Sequence, residues 1–376
     1  MALCLFWCWA DALASTPGVA DVREFGAKGD GRTDDTAAIR KAVGSLGEQG
    51  GVVYFPPGQY LSEVIVGKSR ITFRGDSGWV YRGDIPGASV LMPARDSQPC
   101  LFDLKGCVGT RLVGLSLNGK NLGKEIHGVY SQHTGVEQNI VIDDCKIENF
   151  TGSGVRLDKV WVFAIRHSLI AHNKLSGIDG SGSYDGWILD NQLTGNGRGG
   201  LFATNFATVT ITANRIEWNR LGGIVLGPVS ANTLQICGCT FDRNRGPGID
   251  INLTGRSGGS SANVINGNIF RRNGYMRDSE PEASVHLSLR NVKGTVVTGN
   301  SMFGGPHGKD ATLNRPPSPL NGMLLEGLVD SVVANNSLFW AGRDVLIIDK
   351  GGHKNSVIKD NPGSLVEVKA KPETRK

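Results

Sequence analysis

The sequence of 376 residues predicts an all-β solenoid, a parallel β-helix closed by an N-terminal capping α-helix. Three observations predict it: abundant glycine, an internal repeat from residue 140 onward, and an amphipathic segment near 33–46. Glycine fills 53 of 376 positions, about twice the ordinary share, without the period or the proline content of collagen. A repetitive chain of this length can form one extended body.

The repeat is marked by a small polar residue that recurs at steps of 23, 23, 23, 25, 29, 32 and 36 residues. These positions are Cys145, Ser168, Asn191, Asn214, Cys239, Asn268, Asn300 and Asn336. Two residues further on an apolar residue recurs at Ile147, Ile170, Leu193, Ile216, Phe241, Phe270, Met302 and Leu338. A glycine followed by an apolar residue then occurs at Gly128-Val129, Gly154-Val155, Gly177-Ile178, Gly200-Leu201, Gly223-Ile224 and Gly248-Ile249.

Each repeat is too short and too rich in Gly, Asn and Thr for a pair of helices, and its short runs alternate apolar and polar residues as strands do. If each repeat is one coil, equivalent positions stack at about 4.8 Å, and the seven steps span roughly 34 Å. Aligned asparagines can then hydrogen-bond along the row. The lengthened later steps predict loops inserted near 254–262, 274–283 and 304–321.

The ends of such a stack need caps, because they expose an edge and an apolar cross-section. Residues 33–46 supply a capping helix, with N-cap oxygens in Thr33-Asp34-Asp35-Thr36 and an apolar stripe at Ala37, Ala38, Ile39, Ala42, Val43 and Leu46. We therefore divide the chain into an N-terminal segment over 1–18, the β-helix domain over 19–365 and a polar tail over 366–376.

Residues 2–10 form an apolar run that precedes Ala12-Leu13-Ala14 and Ser15, a pattern typical of a secretory signal. This predicts a secreted protein, extracellular or periplasmic. The alternative interpretation is an apolar end cap. No later segment reaches about 18 uninterrupted apolar residues, so no membrane span is predicted.

The charge balance of 40 Lys and Arg against 35 Asp and Glu gives a net charge of +5 without a concentrated basic stripe. Nucleic-acid binding is therefore not predicted, because it needs such a stripe. A mildly basic surface suits an acidic polymer such as a polyuronate.

Two segments carry a family resemblance: residues 22–36, which contain Gly26-Ala27-Lys28-Gly29-Asp30-Gly31-Arg32-Thr33-Asp34-Asp35-Thr36, and residues 50–60, which contain Pro56-Pro57-Gly58. They resemble the opening of the pectate-lyase-like superfamily. Together with the repeats the resemblance covers about residues 20–360. It implies a single-stranded right-handed parallel β-helix that acts on or binds polysaccharide. Phage tailspikes, lyases, hydrolases, fructotransferases and uronate epimerases share this opening, so the reaction stays open.

The repeats over 138–226 also resemble those of mannuronan C5-epimerases. Where that family has the motif Tyr-Gly-Phe-Asp-Pro-His, this chain has Ser153-Gly154-Val155-Arg156-Leu157-Asp158. The tyrosine, aspartate and histidine are all replaced, which argues against epimerisation by the same machinery.

Alternation along the glycine-led strands predicts two rows of side chains that face solvent. The first row is Tyr130, Arg156, Asp179, Phe202, Val225, Asp250, His286 and Leu324. The second row is Gln132, Asp158, Ser181, Thr204, Gly227, Asn252, Ser288 and Glu326.

Neighbouring coils in these rows bring together the predicted catalytic residues, which are Asp158, Asp179, Arg156, Lys159, His133 and Tyr130. Asp158 and Asp179 can act as the two carboxyl groups of a glycoside hydrolase. Alternatively, Arg156, or Ca²⁺ held by Asp158 and Asp179, neutralises a uronate for β-elimination, and Lys159, His133 or Tyr130 takes the proton. The alternative interpretation is purely structural: Arg156 pairs with Asp179 in a surface salt bridge.

The predicted substrate-binding residues are Gln132, Ser181, Phe202, Asp250 and His286. Two of these belong to a second patch, with Asp250, Asn252, His286, Ser288 and Arg290 roofed by the loop over 274–283. No cofactor is predicted firmly, and calcium is the one that stays open.

These residues predict a polysaccharide lyase or glycoside hydrolase that cleaves a glycan, preferably an acidic one containing uronate. Two alternatives stay open: a non-catalytic glycan-binding or tailspike-like adhesive protein, for which a homotrimer is the expected assembly, and a glycan epimerase or fructotransferase.

Overall fold

The computed structural model describes residues 18–76, 79–83, 86–253, 261–304 and 318–366. The signal-like run over 2–14 and the tail beyond Val366 lie outside the described residues, as do most of two predicted loops.

The first half of the described chain contains one helix, α1 (Thr36–Ser45), and short strands. The strands are β1 (Val19–Asp21), β2 (Asp30–Asp34), β3 (Gly51–Phe55), β4 (Gly58–Ser62), β5 (Ile65–Val66), β6 (Ile71–Gly75), β7 (Ser89–Pro93), β8 (Cys100–Asp103), β9 (Arg111–Val113), β10 (Ser116–Asn118), β11 (His127–Gln132), β12 (Ile140–Asp143), β13 (Lys146–Glu148), β14 (Val155–Asp158), β15 (Trp161–Arg166), β16 (Leu169–Ala171), β17 (Ile178–Asp179), β18 (Ser183–Leu189) and β19 (Gln192–Thr194).

The second half continues the same pattern, with two long strands where successive walls join without a turn. The strands are β20 (Gly199–Thr212), β21 (Arg215–Glu217), β22 (Gly222–Asn232), β23 (Gln235–Cys237), β24 (Thr240–Asp242), β25 (Ile249–Asn252), β26 (Val264–Asn266), β27 (Ile269–Arg271), β28 (Leu287–Arg290), β29 (Val296–Thr298), β30 (Ser301–Phe303), β31 (Asn321–Glu326), β32 (Val332–Ala334), β33 (Leu338–Gly342), β34 (Val345–Asp349), β35 (Val357–Lys359) and β36 (Gly363–Leu365).

The strand pairings of the described chain are parallel and join equivalent strands of successive coils, which confirms the parallel β-helix. One coil consists of β14, β15 and β16, and these pair with β17, β18 and β19 of the next coil. We call the stack that contains β8, β11, β14, β17, β25, β28, β31 and the first halves of β20 and β22 the lead wall. The glycine-led strands form it.

The predicted apolar row is a single internal column, and its prediction is confirmed. Ile147 pairs with Ile170, Ile170 with Leu193, and the column continues through Ile216, Phe241, Phe270 and Met302. All of these side chains are 0% exposed. Stacking of like on like therefore gives a continuous core along the axis.

The small polar row lies beside this column as a hydrogen-bonded ladder, as predicted. Asn191 Nδ2 donates to Asn214 Oδ1 at 3.0 Å, and Asn268 Nδ2 donates to Asn300 Oδ1 at 3.0 Å. Cys239 interrupts the amides, and Asn214 contacts its Sγ at 3.8 Å. Because each amide is satisfied by its neighbours, burying it costs little.

A second asparagine ladder was missed by the sequence analysis. It consists of Asn173, Asn196, Asn219, Asn244 and Asn273, each three residues after a member of the apolar column. The Nδ2 of each of the first four donates to the next Oδ1 at 2.8–3.0 Å, and all five donate to a backbone carbonyl of the preceding coil. The steps of 23, 23, 25 and 29 residues were visible in the sequence.

Helix α1 caps the N-terminal coils, as predicted, but it is shorter than 33–46 because Asp30–Asp34 forms β2. Asp34 accepts the backbone N–H of Thr36 at 3.1 Å, whereas the buried Asp35 carboxylate accepts the N–H of Lys28 at 2.7 Å. Ala37 is exposed, so the apolar stripe is narrower than predicted. In the described part of the chain no helix is long and apolar enough to cross a membrane.

Candidate functional site

The strand registers place the first predicted row on the outer face of the lead wall as far as Asp250. Tyr130 pairs with Arg156, Arg156 with Asp179, and Asp179 with Phe202. Phe202 then pairs with Val225, and Val225 with Asp250. The alternation of side chains thus brings the predicted residues of successive coils together.

The next step of the row differs from the prediction. Asp250 pairs with Ser288 and Asn252 pairs with Arg290, so the expected outward position of His286 is wrong. His286 precedes β28 and follows the register of Gly248, where a side chain points into the interior. It is 0% exposed and packs edge-on against Phe270 at 6.5 Å.

His286 ends the second ladder. Its Nδ1 lies 3.5 Å from Asn273 Nδ2, and three residues after Met302 the sequence has Gly305 instead of another asparagine. Burial lowers the pKa of His286 to about 3, so the imidazole is neutral at ordinary pH. A buried group of this kind is not placed to contact a glycan on the outer wall.

Two carboxylates define the candidate site on the lead wall. Asp158 Oδ2 accepts from Gln132 Nε2 at 3.3 Å, and Asp179 Oδ1 accepts from Ser181 Oγ at 2.9 Å. Arg156 lies between them, paired with Asp179 in register and two residues before Asp158. We call Tyr130, Gln132, Arg156, Asp158, Asp179 and Ser181 the wall patch.

Arg156 has different partners from those expected. Its ion pair is with Glu125, 3.7 Å away, and the salt bridge to Asp179 that the sequence suggested is not formed. Arg156 and Glu125 are 41% and 58% exposed, so the pair is well solvated and weak. A carboxylate ligand can therefore compete with Glu125 for this guanidinium.

His127 is a residue of this site that the sequence analysis missed. Its Nδ1 accepts the backbone N–H of Ser153 at 2.9 Å, and its Nε2 lies 3.2 Å from Arg156 Nη1. Burial, and then the charge of Arg156, lower the pKa of His127 to about 4. A neutral imidazole accepts at only one nitrogen, so it cannot satisfy both neighbours. Its signal in the sequence was its place directly before the Gly128-Val129 pair.

Of the other predicted catalytic residues, Tyr130 belongs to the wall patch, and His133 and Lys159 adjoin it. The pKa of Tyr130 is raised, chiefly by burial and then by Asp158. His133 Nδ1 lies 3.4 Å from Gln138 Oε1 at the end of β11. Lys159 directly follows β14 and has a left-handed backbone conformation, with φ of 57°.

Phe202 lies in the row as predicted, but it is not an open stacking platform. The guanidinium of Arg198 sits 3.3 Å from its ring centroid, and the residue is only 8% exposed. The cation therefore covers the ring face that a sugar would need.

Calcium does not fit the wall patch well. Ca²⁺ takes six to eight oxygen ligands, whereas this patch offers two carboxylates. Within the described ranges no group of three or more His, Cys, Asp or Glu side chains could hold a metal ion.

Two residues of the predicted second patch, Asp250 and Arg290, line a cleft beneath the loop over 274–283. It has a volume of about 490 Å³ and is lined by Asp250, Arg290, Glu280 and Glu282, among others. Burial raises the pKa of Asp250, while nearby Ser288 and Arg290 act in the opposite direction. We call this region the roofed cleft.

Strands β25 and β28, which contribute Asp250 and Arg290 to the roofed cleft, concentrate buried polar atoms without hydrogen-bond partners. The described chain has nine such side-chain atoms, and four of them are Asp250 Oδ1, Asn252 Oδ1, Ser288 Oγ and Arg290 Nε. The other five are four separate serine hydroxyls and His286 Nε2. Although Ser288 lies close enough to favour the ionised form of Asp250, no hydrogen bond of normal geometry joins them.

The fold and the polar lead wall define a pectate-lyase-like parallel β-helix protein. The chain belongs to the family described as "Rhamnogalacturonase A/epimerase, pectate lyase-like", whose profile matches residues 19–250.

Among curated relatives, mannuronan C5-epimerase AlgE6 of Azotobacter vinelandii is 26% identical over 204 residues, which are 50% of this chain and 21% of that protein. The chain spans about a fifth or less of the length of the curated relatives it matches.

Two solved structures show the same fold. The Dettilon tailspike protein has a TM-score of 0.64 at 16% identity, covering 93% of this chain and 68% of that one. The A-module of mannuronan C-5 epimerase AlgE4 from Azotobacter vinelandii has a TM-score of 0.60 at 17% identity, covering 93% and 100%. At these identities the likeness concerns the fold.

Proposed function

We propose that this chain binds an acidic glycan along the lead wall and cleaves it by hydrolysis, with Asp158 and Asp179 as the carboxyl pair. The observation that carries the proposal is the diagonal placement of these residues on adjacent paired strands, with Arg156 between them. One strand spacing and two residues along the strand separate their α-carbons by about 8 Å. Side chains on such a diagonal can hold their carboxyl groups at the separation of about 6.5–9.5 Å that leaves room for the attacking water of an inverting hydrolase.

Arg156 is the residue proposed to recognise the substrate's carboxylate. It is outward-facing, half-exposed and paired only loosely with Glu125 at 3.7 Å. The contact with His127 does not satisfy it, so it keeps N–H groups for a ligand. A uronate bound there would place its glycosidic bond beside both carboxyl groups.

The state of Tyr130 favours hydrolysis over β-elimination. Burial and Asp158 raise its pKa, so the phenol stays protonated at neutral pH and donates a hydrogen bond instead of acting as a base. Elimination would then depend on His133 or Lys159, which stand at strand ends beside the patch.

The signal-like residues 2–14 support an extracellular or periplasmic site of action.

The test compares Asp158→Asn and Asp179→Asn with the unaltered protein on a panel of uronate and neutral glycans. New reducing ends without an unsaturated product are expected for the wild type, and each variant should lose about 10²–10⁴-fold in rate because it lacks one acid or base. Asp190→Asn is the matched control, since Asp190 is exposed and pairs with His167 at 2.9 Å, away from the wall patch.

Other outcomes distinguish the alternatives. An ultraviolet-absorbing unsaturated product signals β-elimination, and altered uronate composition without cleavage signals epimerisation. Binding without any of these changes supports an adhesive protein. Full activity in both aspartate variants would show that the catalytic carboxyl groups lie elsewhere.

A further inference from the structure

A further pocket lies on a different wall of the β-helix from the wall patch. Strands β19, β21 and β24 belong to the 11-stranded sheet, which does not contain the lead wall. The segment over 79–83 lies against the outer face of these strands, where Tyr81 Oη is 3.4 Å from Thr194 Oγ1. Between the segment and the strands is an open depression of about 660 Å³, which we call the arginine pocket. Its lining includes Arg82, Arg215, Arg243, Glu217, Thr194 and Trp218.

Stacking of the coils brings these side chains together. Thr194 on β19 pairs with Glu217 on β21, and Arg215 lies on the same face of β21 two residues earlier. Arg243 directly follows β24, and its guanidinium lies 4.8 Å from the centroid of the Trp218 ring one coil before. The fold therefore holds two arginines of the pocket on adjacent coils.

The guanidinium of Arg215 is only partly used by its ion pair. Glu217 has a side chain that is 4% exposed, and it accepts from Arg215 Nε at 3.0 Å and from Gln192 Nε2 at 2.9 Å. Both carboxylate oxygens are thus satisfied at the floor of the pocket. The side chain of Arg215 is 62% exposed, and its contact with Glu217 is made through Nε, which leaves the two terminal nitrogens available to a ligand.

Arg243 and Arg82 carry positive charge in excess of the nearby carboxylates. Asp242 lies 3.1 Å from Arg243, but the buried Arg272 already binds both of its oxygens, with Nε 2.9 Å from Oδ1. Arg82 is exposed and has no ion pair within the described ranges. Three arginines and one glutamate line the pocket, which gives it a formal charge of +2.

This charge matches a doubly charged oxyanion. Each planar guanidinium can donate two parallel hydrogen bonds to an oxyanion, and a tetrahedral anion accepts from several sides at once. The hydroxyls of Tyr81 and Thr194 are 3.4 Å apart, so they bond each other weakly and can donate to a ligand. We propose that the arginine pocket binds a phosphate or sulfate group through Arg82, Arg215 and Arg243. This site does not depend on the function proposed for the wall patch.

The experiment titrates the full chain with inorganic phosphate, sulfate, glycerol 3-phosphate and acetate in a calorimeter at low ionic strength. Saturable binding of phosphate and sulfate is expected, at least tenfold tighter than binding of the singly charged acetate. Tighter binding of glycerol 3-phosphate than of inorganic phosphate would identify an ester as the ligand, and weaker binding would identify the free ion. Arg82→Gln should weaken phosphate binding about tenfold, the effect of one lost charge-assisted hydrogen bond.

Arg32→Gln is the matched control. Arg32 is exposed, forms no ion pair in the described part of the chain, and lies on β2, six strand pairings or about 29 Å from β19 in the same sheet. Arg243→Gln provides a second pocket variant, and thermal unfolding without ligand verifies the fold of each protein.

Four results would overturn the proposal. These are no saturable binding of phosphate or sulfate, acetate binding as tight as phosphate binding, unchanged affinity in both pocket variants, and an equal loss of affinity in Arg32→Gln. The last result would mean that the net charge of the chain alone attracts the anion. Failure of cleavage at the wall patch leaves the result for the arginine pocket unchanged.

Discussion

The asparagine ladders and the roofed cleft bury polar groups in opposite ways. In the second ladder each internal amide donates to the next asparagine and to a backbone carbonyl, and accepts from the coil before it. On β25 and β28, two strands that line the cleft through Asp250 and Arg290, a buried atom without a partner is found on each of Asp250, Asn252, Ser288 and Arg290. Both regions are built by the same stacking of coils.

The difference shows when stacking satisfies polar groups and when it does not. Like residues in register satisfy each other, because every asparagine offers both a donor and an acceptor. The cleft strands instead stack unlike residues, Asp250 on Ser288 and Asn252 on Arg290. Stacking of the coils alone therefore does not ensure that every buried polar atom is paired.

The largest effect on stability is expected in the ladder. Asn219→Ala removes the acceptor of Asn196 Nδ2 at 3.0 Å and the donor to Asn244 Oδ1 at 2.9 Å. Leaving these buried groups unpaired should lower the free energy of unfolding by about 3–5 kcal/mol. Urea and thermal unfolding measure it.

Asn266→Ala is the matched control, since Asn266 is an exposed asparagine on strand β26. A change within about 0.5 kcal/mol is expected there. Equal losses in both variants would mean that the ladder amides contribute no more than a surface asparagine.

A smaller effect, dependent on pH, is expected where the second ladder ends. Burial lowers the pKa of His286 to about 3 in the folded chain, whereas a histidine in the unfolded chain has a pKa of about 6.5. Between these two pH values the unfolded chain binds a proton that the folded chain does not. Stability should therefore fall as the pH decreases from 6.5 towards 3, by about 3 kcal/mol at pH 4 from this residue.

In the variant His286→Gln the free energy of unfolding should depend less on pH between pH 7 and pH 4. Burial also lowers the pKa of His127, and its contribution has the same sign, whereas the raised pKa of Asp250 acts oppositely. Both contributions cancel when the two proteins are compared. Parallel stability curves would show that His286 is not the residue responsible.

The smallest effect distinguishes a satisfied from an unsatisfied serine. Ser168 Oγ donates to Arg166 O at 2.7 Å and accepts the Cys145 N–H at 3.0 Å, so Ser168→Ala should cost about 1–2 kcal/mol. Ser288→Ala removes a hydroxyl without a partner and should cost nothing or stabilise by up to about 1 kcal/mol. Chemical denaturation of the two variants checks this; a clear loss in Ser288→Ala would contradict it.

Most of the fold was predictable because the sequence shows the length of the repeat and the alternation of inward and outward side chains along each strand. The apolar column from Ile147 to Met302 and the outward row from Tyr130 to Asp250 follow from spacing alone. His286 was misplaced because the inserted roof between Asp250 and β28 breaks the spacing that sets the register.

The state of the site was less predictable, because it depends on side chains from outside the repeat. Arg198 covers Phe202, and Glu125 and His127 contact Arg156, each from a turn or a strand start. The repeat spacing predicts which positions stack, but it does not predict which turn residues contact them. The roof over Asp250 and Arg290 is likewise predicted from the sequence only as a loop.

The coil is also a unit of length. Three pairings separate Asp179 from Asp250, and each adds about 4.8 Å along the axis. Gain or loss of one whole repeat between them would change the distance between the two polar regions by that increment. The contacts within every remaining coil would be unchanged. The distance between two sites on a β-helix can therefore change in steps of one strand spacing without any change in the residues of either site.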